Sequence, residues 1–474
     1  MKSTIVKRLF RRSGAIAGIG CWLALASMPQ SVFASIADVP DLTQAQSNAA
    51  IAVETLFNEL GARIDAGETL SDKELALYEG AKEIVHTGNQ ILNTLFGQSL
   101  PIEDSLNLSA EGFAAVLQWV THEEIGAQGK MTSEALGAQT ANIGARIDAL
   151  RMGARGFQVA WHQQAYPYGN PYQGGNAGAE GNLLSNWGTF LNGGYTIGDR
   201  DPTDREDAFE FDAWSLTAGV DYRLHPSLIV GAALGVIQGK VDFDGSKSIV
   251  AGEIETDSWL LTAFSAYEWQ QFYADASLTY GQTDFDMERR ISYPSNNVLI
   301  AATNKLALSN TDADQLSVTV QGGYIAHHNS WTFGPTAALD YVTTNIDGYS
   351  ETNADEFNLT VKGQSIDSFT TRLGGRVQYA ANQSWGVLVP QLDLEWIHEF
   401  ENDAREIAAK FADDVTDTYF NVITDDPDAN YFIATVSVSL VMQNGLQAFV
   451  SYKTPLGLDD ISSDYFAGGA RLEF

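Results

Sequence analysis

The sequence predicts an all-β transmembrane barrel of twelve antiparallel strands behind a small N-terminal α-helical region. Three observations carry that reading. From Asn186 to Phe474 apolar and polar residues alternate with period two, the connections alternate between short turns and long acidic loops, and the chain opens on an export signal. Composition sets the outer limits: 474 residues carry 60 Asp+Glu against 27 Lys+Arg, a net charge of -33, with 10 Trp, 18 Tyr and 23 Phe. That aromatic content excludes a disordered chain. The surplus of carboxylates excludes a polyanion binder, so no nucleic acid is expected as a partner.

Residues 1–34 read as a signal peptide. Lys2, Lys7, Arg8, Arg11 and Arg12 form a basic start, Gly14 to Met28 an apolar run, and Val32-Phe33-Ala34 a small-residue cleavage pattern, which places cleavage after Ala34. Ser13 and Gly14 follow the Arg11-Arg12 pair where a twin-arginine signal wants an aromatic and a leucine, so the Sec translocon is the expected route. The single cysteine, Cys21, lies in this segment. Disulfides and cysteine-based metal or nucleophile sites are therefore not expected in the mature chain. No later run reaches the ~20 consecutive apolar residues of a spanning helix, so membrane residence would have to be through strands.

Residues 35–133 are expected to be helical, as a short passenger or a periplasmic segment. Ser71-Asp72-Lys73-Glu74 and Thr121-His122-Glu123-Glu124 both fit the capping box, in which a hydroxyl and a carboxylate satisfy orphan amides reciprocally. Leu56, Leu60 and Ile64 line one face of a first helix, and Ile84, Ile91, Leu92 and Leu95 one of a second, with Gly67 between them. Residues 134–185 comprise a linker helix and a Gly-rich linker. A third helix is expected to begin near Thr121 and to run through Asn142, Arg146 and Arg151 toward Arg155, with Ile143, Ile147, Leu150, Ala154 and Phe157 on one face. Tyr166 to Gly181, rich in Gly and Pro, reads as flexible.

Residues 186–474 form the predicted barrel. In Trp214 to Leu224 every even position is apolar or aromatic, and the alternation recurs at Leu316 to Tyr324, Leu388 to Trp396 and Phe432 to Leu440. Short turns fall near Pro226, Trp269-Gln270, His328-Asn329, Asn382-Gln383 and Asn444-Gly445. Long loops fall at Gly198 to Asp207, Gly245 to Glu255, Glu288 to Asn310, Asp347 to Gly363 and Asn402 to Asp428. A soluble sandwich or lipocalin-like barrel would turn apolar faces inward. Here the polar faces carry Asp221, Arg223, Asp275, Arg372, Arg376, Asp393, Glu395 and Arg471, the expected lining of a pore, while Trp214, Tyr222, Trp396 and Phe400 recur near strand ends as interface anchors.

The ends of this region carry a family resemblance. The last strand, Phe466 to Phe474, terminates on an aromatic residue, the opening run Trp187 to Asp201 followed by Leu216 to Arg223 reads as a first hairpin, and Arg146 to Arg151 as the preceding helix. Together they resemble the autotransporter (type V secretion) proteins, over about 340 residues from near Thr121 to the end. The resemblance implies a twelve-stranded translocator in the outer membrane of a Gram-negative bacterium, assembled by the barrel-assembly machinery through Phe474, and a segment threading the pore. Outer-membrane lipid and lipopolysaccharide are the implied surroundings. Two arrangements stay open: Arg146, Arg151 and Arg155 face luminal Asp221, Asp275, Asp393 and Glu395, or the helix packs on other helices and the glycine linker fills the pore. In some relatives a pair of asparagines in the pore helix cleaves the chain. The matching pair here is Ala141-Asn142, which lacks the attacking amide.

Other functions find less support. The seven histidines are scattered, His122-Glu123-Glu124 lacks a second zinc ligand, and no Gly-x-Ser-x-Gly elbow occurs. His398 sits near a strand end without the nucleophile that catalysis would need. No enzyme, cofactor or metal is expected. A small outer-membrane porin is the alternative, with acidic loops such as Asp413 to Asp428 favouring cations, or binding divalent ions that bridge lipopolysaccharide.

Overall fold

The structure, a computed structural model, describes residues 35–97, 103–121, 123–151, 186–243, 250–442 and 446–472. The export signal, the Gly-rich linker, Ala154, Arg155, Phe157 and Phe474 lie outside those residues. Among the described residues, twelve long strands form one closed antiparallel sheet. They are β1 (Trp187–Arg200), β2 (Phe209–His225), β3 (Leu228–Phe243), β4 (Ala251–Trp269), β5 (Phe272–Tyr293), β6 (Thr303–Tyr324), β7 (Trp331–Ile346), β8 (Gln364–Tyr379), β9 (Gly386–Glu399), β10 (Asn430–Met442), β11 (Leu446–Leu456) and β12 (Ile461–Leu472). Each pairs with the next, and β12 returns to β1 with Leu191 opposite Ala470 and Arg200 opposite Ile461, so no edge is left open.

One end of the barrel is made of tight turns, with Gln270 at φ 58° and Asn329 at φ 54° in the left-handed conformation such turns demand. The other end carries the loops. Two of these, expected as irregular, are folded: Tyr349–Ser350, Leu359–Val361, Glu406–Phe411 and Phe420–Ile423 pair into a small four-stranded sheet. Leu359, Val361, Ile407, Ala409, Phe411, Phe420 and Val422 are buried on it. Their period-two pattern is interrupted by the aspartates between them, which is why composition alone suggested loop.

The strands change character along their length. On β5 the outward residues Phe272, Ala274, Ala276, Leu278 and Tyr280 are apolar, a run of about 27 Å at ~3.4 Å per residue. From Gln282 the outward face becomes Asp284, Asp286, Glu288 and Arg290. On β2, which runs the other way, Glu210 and Asp212 precede outward Trp214, Leu216, Ala218, Val220 and Tyr222. Aromatic pairs mark both rims of the apolar band. Trp187 and Tyr222 (ring centroids 4.9 Å apart), Phe272 and Tyr324 (5.1 Å), and Trp331 and Tyr379 (4.8 Å) ring the turn end. Trp259 and Tyr280 (5.7 Å), Phe369 and Phe400 (5.3 Å), and Tyr452 and Phe466 (5.0 Å) ring the side toward the loops. Beyond that second girdle β5 continues for 13 more residues, whereas β11 has only 11 residues in all. The wall is tall on one side and low on the other.

Among the described residues four α-helices precede the barrel: α1 (Gln44–Asp65), α2 (Asp72–Leu95), α3 (Ala110–Val120) and α4 (Gly126–Arg151). The Ser71/Glu74 capping box opens α2 as expected, and Thr43/Gln46 makes a second one on α1. Thr121 does not open a helix. Its amide donates to Leu117 O at 2.9 Å and its hydroxyl to Gln118 O at 2.8 Å, so it closes α3, and α4 starts five residues later. Leu56, Leu60, Ile84, Phe113, Val116 and Leu117 form the core of α1–α3, while Ile64 and Leu95, expected on the same faces, lie at helix ends and are exposed.

Candidate functional site

The three shorter helices sit on the loop end of the barrel. Asn48 donates to Asn421 O at 3.0 Å, Gln118 to Asp207 at 3.3 Å, Asn297 to Ser105 O at 2.8 Å, and Arg289 to Trp119 O at 2.9 Å. Arg289, inward on β5, also forms a two-pronged pair with Glu351 (2.8 and 2.6 Å) and donates to Phe357 O at 2.8 Å. One buried guanidinium thus ties α3, the barrel wall and the β7–β8 loop together. Glu124, between α3 and α4, is buried beside this group with one carboxylate oxygen lacking a hydrogen-bond partner. Burial pushes its pKa up to about 8, although the positive charge of Arg289 opposes the shift.

From that cap α4 enters the lumen. Its first residues lie by the loops, where Gly126 O accepts from Arg405 at 3.4 Å, and its last, Arg151, pairs with Asp275 near the turn end. Twenty-six residues span about 39 Å at ~1.5 Å each, longer than the ~25 Å apolar band of an outer-membrane barrel. The helix finds two kinds of partner on the way. Ala127, Met131, Ala135 and Leu136 pack with Phe209, Phe211, Ile237, Val241, Phe243, Ile254, Phe285 and Met287, which are the inward residues of the strands above the outer girdle. Lower down, Ile143, Ile147 and Leu150 pack with Phe190, Ile229, Ala233, Phe264 and Ala266. The apolar stripe of the helix therefore has its apolar partner inside the barrel, on the wall made by β1, β3 and β4.

Polar contacts set the register of α4. Gln139 donates to Thr262 at 3.0 Å and accepts from Thr217 at 2.8 Å. Asn142 donates to Thr217 at 3.0 Å, its side-chain oxygen accepts from Tyr465 OH at 3.1 Å, and its carbonyl accepts from Asn192 at 2.9 Å. An amide held on all sides is poorly placed to attack a peptide bond, and Ala141 beside it offers no nucleophile. Two glycines of β3 make the approach possible: a Cβ at Gly235 would overlap the Gln139 amide, and one at Gly239 the Met131 methyl.

The charged residues anticipated in the pore are distributed as follows. Arg146, 2% exposed, donates from Nε to Asp221 at 2.8 Å and lies over the Phe190 ring. Arg151 pairs with Asp275 and lies over the Tyr273 ring at 3.9 Å. Among the described residues Asp393 and Glu395 are not met by helix arginines. They belong to wall pairs, Asp393 with Arg376 and Glu395 with Arg372 (3.3 Å), and Arg372 also donates to Asp340 at 2.7 Å. The helix reaches that side with a carboxylate instead, Asp148, bonded to Arg376. Arg223 stands at the turn end and donates to Pro226 O at 3.2 Å. For Arg471 only the backbone in β12 is described. Asp148, Gln139 and Asp340 were missed by sequence reading. Asp148 lies within the helical run, three residues before Arg151, a spacing that offered a signal.

Among the described residues no group of three or more His, Asp or Glu side chains is arranged to hold a metal ion. His398 accepts or donates with Asn430 at 3.0 Å, stacks on Trp396 and meets Phe400 edge-on in the outer girdle. The loop aspartates have protein partners: Asp413 with Lys73, Asp417 with Lys410, and Asp425 with Arg200.

A family model described as the autotransporter beta-domain matches residues 187–453. Among curated proteins the chain is similar to an uncharacterized protein in the trpE-trpG intergenic region of Pseudomonas putida, 28% identical over 199 residues that cover 41% of this chain and 31% of that one. It is also similar to the esterase EstA of Pseudomonas aeruginosa, 25% identical over 230 residues, 47% of this chain and 33% of that one. The chain spans about a third of the length of these relatives. Against the translocator domain of autotransporter NalP from Neisseria meningitidis it aligns with a TM-score of 0.46 and 12% identity, covering 61% of this chain and 89% of that one.

Proposed function

The chain belongs to the autotransporter β-domain family and is an outer-membrane translocator barrel of a Gram-negative bacterium, and from that premise we propose that it displays its own N-terminal helices on the cell exterior, tethered by α4 through the lumen. The observation that carries this reading is the direction of α4. It enters at the loop end beside a folded cap of α1–α3 and finishes at the turn end, where β1 begins. Short turns face the periplasm and long loops the exterior in barrels of this kind, so the cap would lie outside.

The translocator domain is not itself catalytic. The word esterase describes the Pseudomonas relative, and on our reading the segment displayed here is a binding or structural module rather than an enzyme. Sec export, insertion by the barrel-assembly machinery through Phe474, and a setting of lipid and lipopolysaccharide around the girdles are parts of the same proposal. Its test is protease shaving of intact cells carrying an epitope near Ser35. Loss of the epitope with the barrel retained supports display, and protection of the epitope until the outer membrane is permeabilised sinks it.

A further inference from the structure

The helix does not fill the lumen evenly. It is seated on the wall of β1–β4, and its opposite face presents Gly137 and Gly144, where an added Cβ would meet nothing within 4 Å. Along that face lie two cavities. The inner one, about 190 Å³, runs beside Ala141, Gly144 and Asp148, and the outer one, about 520 Å³, opens among the loops beside Lys130 and Glu134. Ile433, Lys453 and Tyr465 line both, so these three residues form the neck between them.

The cations around this path are nearly all held by carboxylates or by hydrogen bonds. Arg376 is held by Asp148 and Asp393, Arg372 by Asp340 and Glu395, Arg151 by Asp275, and Lys130 by Glu134. Lys453 is the exception: among the described residues its ammonium has no ion pair or hydrogen bond, and Glu134, the carboxylate that bears on it most, is already bonded to Lys130. The vestibule carries carboxylates, among them Asp426, Asp459 and Asp460. Those stand in wide, wet space where a Debye length of ~8 Å screens them. A charge in a narrow neck between protein walls is screened far less.

We propose that a narrow aqueous passage persists beside α4 in the folded protein, and that Lys453 at its neck makes it pass small anions in preference to small cations. It rests on the barrel spanning a membrane, not on which side the helical cap lies.

The test uses the purified full-length protein. Its only cysteine, Cys21, is in the segment read as a signal peptide, so a single reporter thiol can be introduced. Ser437→Cys lines the inner cavity alone and Ser133→Cys the outer one alone. Each is reacted in detergent micelles with two methanethiosulfonates of equal size, one bearing a sulfonate and one an ammonium. The expected result is that Ser437→Cys reacts roughly tenfold faster with the anionic reagent, that adding Lys453→Glu reverses the preference, and that Ser133→Cys follows neither trend. In planar bilayers under a KCl gradient the full chain should give a reversal potential on the anion side, Lys453→Glu should move it to the cation side, and Gly144→Leu should reduce the current. Heat-modifiable gel mobility verifies that each variant is folded. A charge preference indifferent to residue 453, cation selectivity in the unaltered protein, or a Ser437→Cys inert to both reagents while Ser133→Cys reacts would each overturn the proposal.

Discussion

Within the apolar band the barrel is apolar outside and largely polar inside; a few residues farther along the same strands it is the reverse. On β5 the inward residues Asp275, Ser277 and Thr279 give way to Phe285, Met287, Ile291 and Tyr293, while outward Leu278 and Tyr280 give way to Asp284 and Asp286. The pleat and the hydrogen-bond ladder continue unbroken through the switch. What changes is the solvent on the outer face, and the inner face changes with it, because a strand in water needs an apolar core whereas a strand in lipid does not. The outer half of the wall is thus a soluble protein built on the rim of a membrane one, with α4 running through both.

Substitutions that ignore the switch should break it most visibly. An arginine at outward Ala276, midway between Phe272 and Tyr280, faces hydrocarbon and should cost about 2–4 kcal/mol at the middle of the band, lowering outer-membrane levels sharply. The same residue at outward Asp284 should leave those levels unchanged, which quantitative blotting of membrane fractions can read. The lumen comes next. Arg146→Ala strands Asp221 in a buried site and should cost about 3–5 kcal/mol, whereas adding Asp221→Asn should recover part of the loss, measured as the temperature of the heat-modifiable mobility shift.

The outer half has its own signature. Met131→Ala, in the apolar cluster that α4 forms with the outer part of the wall, should cost about 2–5 kcal/mol of local stability, seen as faster amide exchange at the start of α4 with the mobility shift unmoved. If the shift falls equally, the two halves unfold as one cooperative unit. The smallest effect concerns pH. Glu124 has a folded-state pKa of about 8, above its unfolded value, so the folded cap binds a proton that the unfolded chain releases. Its contribution to stability therefore falls as pH rises from about 4.5 to 8 and is level above that. Amide exchange in the cap should quicken over this range, and Glu124→Gln should flatten the trend.

Much of the membrane half was legible because its rule is local. Alternation of two, as from Trp214 to Leu224, needs no knowledge of distant residues, and twelve strands with alternating short and long connections follow from it. The family match over 187–453 rests on the same strands. The outer half was harder to read for a physical reason: Phe209, Phe211, Phe285 and Met287 keep the period while changing the face that is apolar, and period alone does not say which face looks in. The lumen was read in part. Arginines on α4 and carboxylates on the strands were visible as candidates, and Arg146 does meet Asp221. Which charges pair within the wall, as Arg376 does with Asp393 across β8 and β9, depends on strand register, and register is set by the turns and by α4 rather than by the charges.

The path of α4 also makes the molecule an interlocked one. A barrel closed by β12 upon β1 surrounds a helix whose one end runs into the folded cap of α1–α3 and whose other end continues in sequence toward β1, part of the ring itself. This is the arrangement of a rotaxane, an axle held in its wheel by a stopper. Neutralising Arg146 and Arg151 would let the axle rattle without letting it leave. Departure requires the cap to unfold, the ring to open, or a peptide bond to be cut, so the helix is retained by topology even where the energy of its contacts is lost.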